Sequence, residues 1–154
     1  MKFSLKDNIN IIKKVKAERK KIVFTNGCFD LLHVGHIRYL AQAKKLGNFL
    51  IIGLNSDSSV KALKGKDRPI NSFEDRAVLV SALTSVDLVI IFEELTPENL
   101  IKEIVPDVLV KGGDYNIEDI VGFQTVIQNG GLVKSLSFYD GYSTTNYIKK
   151  INKP

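Results

Sequence analysis

The sequence predicts an α/β fold: a Rossmann-like open parallel sheet of about five strands with helices on both faces. Three observations lead there. Short runs rich in Val, Ile, Leu and Phe alternate with stretches of helical apolar spacing along nearly the whole chain. Strands that alternate with helices pair in parallel, because parallel neighbours need crossover connections, and those crossovers cover both sheet faces. Capping residues and turn glycines then fall where the two patterns meet.

An amphipathic helix is expected over residues 5–19. KIVFT reads as the first strand and precedes a helix over 37–46; FLIIGL precedes a helix over 73–83, and LVIIF one over 98–105. DVLVKG precedes a weaker helical pattern over 117–128, and LVKSLSF a last helix from about Thr144. Gly47 fits a helix C′ position, Ser72 with Asp75 resembles a capping box, and Thr96-Pro97 places an N-cap before a proline at the first helical position. The polar, lysine-rich stretch 55–72 has room for at most one short helix. A segment that long without periodicity in a compact domain points to function or disorder.

With 154 residues, 44% of them hydrophobic, the chain has the material for one well-buried core, so a single domain over 1–154 is expected, with residues 1–20 as a helical extension. No apolar run is long enough to span a membrane, and charges interrupt the first twenty residues, so neither an anchor nor a signal peptide is expected. The lone Cys28 excludes an internal disulfide framework and fits a reducing compartment, with the cytoplasm as default. The net charge of +5 suits nucleotides, sugar phosphates or nucleic acid, and equally a plain solvated lysine surface.

NGCFDLLHVGH, residues 26–36, places two histidines and two glycines at a strand-to-helix turn. Such turns open at the carboxyl ends of parallel strands, where helix N-termini aim free N–H groups at anions. His33 and His36, three apart in a first helical turn, project toward one opening and suit phosphate oxygens; alone, either reads as a structural histidine. No carboxylate or cysteine set completes a zinc pattern, so no protein-held metal is expected. Cys28 reads as a small buried residue.

The run Gly27-Cys28-Phe29-Asp30-Leu31-Leu32-His33-Val34-Gly35-His36 resembles the G-x-F-D-x-x-H-x-G-H motif of the cytidylyltransferase-like nucleotidyltransferases. FEDRAVLVSAL and YDGYSTT resemble two further family segments in the expected order. TNGCFDLLHVGH, NSDSSVKALKGKDRPIN, PDVLVKGGDY and DGYSTT together are similar to the adenylyltransferase domain of ADP-heptose synthesis enzymes. There it occurs either beside a sugar kinase domain or in a stand-alone version, which this chain resembles. The resemblance implies adenylyl transfer from ATP to D-glycero-β-D-manno-heptose 1-phosphate, a homodimer, a surface-polysaccharide pathway, and no nucleic-acid or membrane partner.

It implies roles as well. His33 and His36 would contact the nucleotide's phosphates, Arg76 would hold the β- and γ-phosphates, and Asn26, Gly27, Phe29 and Gly35 would frame the nucleotide. A lysine after the second strand is also implied, with Lys61, Lys64 and Lys66 as candidates and Lys64 the best match. Lys111, Gly113 and Asp114 of KGGDY would approach the nucleoside, and Ser143, Thr144 and Thr145 would donate hydrogen bonds near a helix start. Each has a structural alternative: Arg76 as a surface partner of Glu74 or Asp75, Ser143 as an ordinary N-cap, KGGDY as a glycine turn. Mg²⁺ would ride on the triphosphate, and Asp30 either touches it or holds the loop.

Glycerol-phosphate cytidylyltransferases resemble R-x-x-G-x-S-T-T before the last helix; here Phe138 stands where that arginine would be, and this favours adenine over cytosine. A cytidylyltransferase acting on glycerol 3-phosphate or an amino-alcohol phosphate remains the rival enzyme. A non-catalytic nucleotide or nucleic-acid binding module would leave the histidine turn idle, and the lysines lack interleaved aromatics.

Overall fold

A computed structural model describes residues 3–137 and 141–151. The elements are α1 (Leu5–Ala17), β1 (Ile22–Gly27), α2 (Val34–Lys44), β2 (Phe49–Asn55), α3 (Asp57–Lys64), α4 (Phe73–Ser81), β3 (Leu88–Phe92), α5 (Glu98–Ile104), β4 (Val108–Gly112), a 3₁₀ turn (Ile117–Asp119), α6 (Phe123–Gln128), β5 (Leu132–Leu136) and α7 (Thr144–Ile151). The five strands pair in parallel in the order β3-β2-β1-β4-β5. The direction of winding therefore reverses between β1 and β4, the topological switch at which open α/β sheets bind ligands.

The period-two alternation of a strand decides which residues go to which face. Ile22 and Phe24 of β1 join Ile51, Ile90 and Leu109 on one face, covered by Ile12 and Val15 of α1, Ile101 and Ile104 of α5, and Val126 of α6. Val23 joins Leu50, Ile52, Val89 and Val108 on the other, covered by Tyr39, Leu40 and Ala43 of α2 and Ala77 and Val80 of α4. The first helix is thus part of the cover of the first core rather than an appendage. Phe3 ties it down further, its carbonyl accepting from the Ile91 N–H (2.9 Å).

Several boundaries differ from the sequence expectation for local reasons. Helix α2 begins three residues early, because His33 takes extended backbone angles as N-cap and its carbonyl accepts from the N–H of His36 (2.9 Å). The weak pattern over 117–128 is broken at Gly122, whose φ of +91° leaves only the second half as α-helix. Pro97 is the N-cap of α5 and not its first residue. Ser72 does cap α4, its Oγ accepting from the Asp75 N–H (3.3 Å). The stretch 55–72 holds one short helix, α3, capped by Ser56.

Candidate active site

The carboxyl ends of β1 and β4 carry Asn26 and Lys111, and the turn after β1, with the start of α2, carries Phe29, His33 and His36. The Asn26 side-chain oxygen faces Lys111 Nζ across the switch (3.5 Å). The turn after β1 carries Phe29 at a φ of +45°, which folds its ring back over Gly27; a Cβ on Gly27 would sit 2.9 Å from that ring. Phe29 then meets the His36 ring edge-on at 5.3 Å. The two histidines do more than share an opening. Their rings stack at 3.8 Å between centroids and 18° between planes.

That stack fixes their chemistry. Both Nδ1 atoms are shielded and make no hydrogen bond, while the Nε2 atoms stay open. Burial, reinforced by the neighbouring His33, pushes the His36 pKa down to about 4, and burial lowers that of His33 too. Both rings are therefore neutral near pH 7. They present Nε2 at the N-terminus of α2, where free N–H groups also favour an anion.

The segment after β5 closes over the turn. Thr144 Oγ1 donates to the Leu31 carbonyl (3.3 Å), and the rings of Tyr147 and Tyr142 stack on His33 at 5.6 and 6.3 Å. Gly35 makes that approach possible, since a Cβ there would lie 2.8 Å from Tyr142 Cβ and 3.0 Å from His33 Nδ1. Ser143 precedes α7, its carbonyl accepting from the Tyr147 N–H (3.0 Å). Thr145 is exposed, and Phe138 lies outside the described residues.

Of the three candidate lysines, Lys64 is the one whose charge bears on both Cys28 and Lys111; all three are exposed. Burial lowers the pKa of Lys111, and Lys64 lowers it further. Burial raises that of the Cys28 thiol, as befits a packing residue rather than a nucleophile. Beyond β4, Gly113 is held by hydrogen bonds to Leu136 and Ser135, and Asp114 is exposed with no hydrogen-bond partner among the described residues.

Arg76 departs from both readings made of it. It is fully buried, so it is no surface partner of Glu74 or Asp75. Nor is it a free fork for the β- and γ-phosphates: Nη1 donates to the Cys28 carbonyl (2.6 Å), Nη2 to the Asn55 carbonyl (2.9 Å) and Asp57 (2.7 Å), and Nε to the Asn71 carbonyl (3.2 Å). A guanidinium has five N–H donors, and these bonds spend most of them. Arg76 fastens the β1–α2 turn, the end of β2, the start of α3 and the loop before α4 to one another.

Asp30 is likewise committed to structure. Its carboxylate accepts from Arg68 Nε (2.5 Å) and from the N–H groups of Ile70 (2.7 Å) and Asn71 (3.0 Å). With these lone pairs filled, it holds the loop. Among the described residues no three His, Cys, Asp or Glu side chains gather as a metal site. The donors at the opening are cationic or neutral, so the residues present do not fit a protein-held Mg²⁺. The sequence does not single out Arg68, whose only signal there is a place in the lysine-rich stretch.

A family model described as cytidylyltransferase-like matches residues 24–150, spanning the sheet, the histidine turn and α7. The chain belongs to the cytidylyltransferase-like family. It is a nucleotidyltransferase by that membership. It is 60% identical over 139 residues to the Bifunctional protein HldE of Haemophilus ducreyi, covering 90% of this chain and 29% of that one. It is 52% identical over 143 residues to the protein of the same name from Geobacter sulfurreducens, covering 93% of this chain and again 29% of the relative. The chain thus spans about three-tenths of the length of these relatives.

Among solved structures, the lipopolysaccharide core biosynthesis protein from Thermoplasma volcanium matches with a TM-score of 0.65 at 30% identity, covering 80% of this chain and 99% of that one. Pantoate-beta-alanine ligase from Francisella tularensis shares the fold, with a TM-score of 0.66 at 12% identity over 96% of this chain and 72% of its own.

Proposed function

We propose that this cytidylyltransferase-like protein moves an adenylyl group from ATP to D-glycero-β-D-manno-heptose 1-phosphate, giving ADP-heptose and pyrophosphate. The observation that carries the reading is the stacked, neutral pair His33 and His36 at the N-terminus of α2, in the turn that also holds Cys28, on which the charge of Lys64 bears. An oxygen of the sugar phosphate attacks the α-phosphorus in line. A new P–O bond forms as the bond to the bridging oxygen of the β-phosphate breaks, and pyrophosphate leaves with the electron pair. A phosphate monoester has a second pKa of about 6, so the nucleophile is already ionised near neutral pH. No general base is then required of the protein.

What remains for the protein is positioning and charge stabilisation. His33 and His36 donate from Nε2 to oxygens of the α-phosphate, Lys64 meets the leaving pyrophosphate, and Lys111 with Asn26 borders the nucleoside. Thr144 and Ser143 bring hydroxyls to the same opening. Mg²⁺ enters with ATP, held on the triphosphate oxygens as part of the substrate. The enzyme works in the cytoplasm as a homodimer. The choice of adenine and of heptose rests on the resemblance to the adenylyltransferase domain of ADP-heptose synthesis enzymes and on the 52–60% identity to the two relatives.

Pyrophosphate release, measured for ATP and CTP against heptose 1-phosphate and glycerol 3-phosphate, tests the reading. The expected result is a preference for ATP of at least tenfold in kcat/KM with heptose 1-phosphate, about 1.4 kcal/mol in the transition state. Comparable rates with both nucleotides, or turnover only of CTP with glycerol 3-phosphate, would overturn it.

A further inference from the structure

The loop between α3 and α4 folds onto the histidine turn and brings with it a charge whose use the fold does not explain. Arg68 is anchored twice: its N–H donates to the Gly65 carbonyl (3.1 Å), and its Nε to the buried Asp30 (2.5 Å). Asn71 doubles the second anchor, its side chain donating to the Asp30 carbonyl (2.7 Å). Only 17% of the Arg68 side chain is exposed. Yet Nη1 and Nη2 make no hydrogen bond among the described residues.

A guanidinium used only at Nε for structure leaves its Nη pair as a rigid planar donor edge, which matches a phosphate. Among the described residues the one carboxylate paired with Arg68 is that of Asp30, and it sits on Nε. Lys64, Arg68 and Arg76 all bear on Cys28. Asp30 and Asp57 are each already paired with an arginine, and Lys64 and Lys111 have no ion pair among the described residues. The imbalance sits where Arg76, spent on carbonyls, has no fork to offer.

We propose that Arg68 is a binding residue of this site, holding a phosphate group of the substrates on its Nη1 and Nη2 edge while Asp30 fixes its orientation through Nε. The inference rests on the nucleotidyl-transfer reading above, because it takes its ligand from that reaction. The phosphate is either that of the acceptor or the β- or γ-phosphate of the nucleotide.

Arg68→Lys separates binding from anchoring. An ammonium retains an ion pair with Asp30 but not the fork, so a purely structural Arg68 predicts a variant with wild-type kinetics. The expected result is a KM at least tenfold higher for one substrate, with the other KM within twofold and the melting temperature within about 2 °C of wild type. The substrate affected identifies which phosphate Arg68 holds. Both KM values within twofold of wild type would overturn the proposal.

A second measurement uses the unaltered protein. Phenylglyoxal should modify Arg68 at its open edge, and inorganic tripolyphosphate or heptose 1-phosphate should protect it, as read by peptide mass spectrometry. Modification of Arg68 undiminished by both ligands would overturn the proposal even if Arg68→Lys failed to fold. A wild-type protein that binds tripolyphosphate at Arg68 but does not turn over ATP with heptose 1-phosphate would sink the functional reading and leave the phosphate edge standing.

Discussion

Replacing Arg76 by lysine is the sharpest way to separate a clamp from a phosphate ligand. The native guanidinium supplies one carboxylate and three main-chain carbonyls belonging to segments far apart in sequence. A lysine ammonium is a compact point charge and reaches one or two of these at best. Each buried acceptor left without a donor costs about 1–3 kcal/mol. The Asp57 side chain is 40% exposed and rehydrates, which keeps its share small. The carbonyls of Asn55 and either Cys28 or Asn71 dominate, and the expected loss is about 3 kcal/mol. At about 2–4 °C per kcal/mol for a chain of this size, the melting temperature falls by roughly 6–12 °C. Urea unfolding followed by circular dichroism, without nucleotide, measures it directly. An Arg76→Lys protein within about 0.5 kcal/mol of wild type, but with a raised KM for ATP, would refute the clamp and restore the phosphate fork.

His36→Ala, and separately His33→Ala, should lower kcat by tenfold or more with the circular dichroism spectrum unchanged, since one donor aimed at developing charge is typically worth about 2.7–4 kcal/mol in the transition state. Near-normal turnover in both would remove the stack from the chemistry. Because the native pKa of His36 is depressed to about 4, the unfolded chain takes up that proton first as pH falls. Stability from this group is complete above about pH 6.5 and drains away between there and pH 4. Melting temperatures recorded across that window should decline less steeply in His36→Gln. Gly47→Ala puts a methyl 2.7 Å from both the Lys21 carbonyl and Val23 Cγ2, so equilibrium unfolding should show a loss of about 1–3 kcal/mol.

Gly47 illustrates how far the sequence could be read. A glycine directly after an apolar pattern ending at Leu46 reads as a helix C′ residue, but α2 ends at Lys44 with Lys45 as its C-cap, so Gly47 lies one position beyond C′, its N–H bonding the Lys44 carbonyl (3.2 Å). Its lack of a side chain, however, is demanded by the start of β1, a contact between segments far apart in sequence. The strands and their alternation with helices were legible because period two and period 3.6 are local properties. So was the histidine turn, whose residues are contiguous. Arg76 was not, because a polar residue on an otherwise apolar helical face looks the same whether it serves a ligand or three carbonyls. Arg68 was hidden among lysines of the same loop, and only Asp30, thirty-eight positions away, sets it apart. Spacing along a chain reports which face a residue is on, not which partners the other segments bring to it.

The ladder between β1 and β4 is short. It registers only Val23 with Val108 and Phe24 with Leu109, whereas β1 and β2 stay in register from Ile22 to Gly27. The sheet is therefore sewn at the base of this seam and unsewn toward its tip, where Asn26 and Lys111 face each other. Beyond Phe24 and Leu109 the two strands no longer register with each other, and the side chains of Asn26 and Lys111 meet across the seam instead. The end of the seam thus lies beside a turn that Arg76 and Asp30 tie to the loops around it.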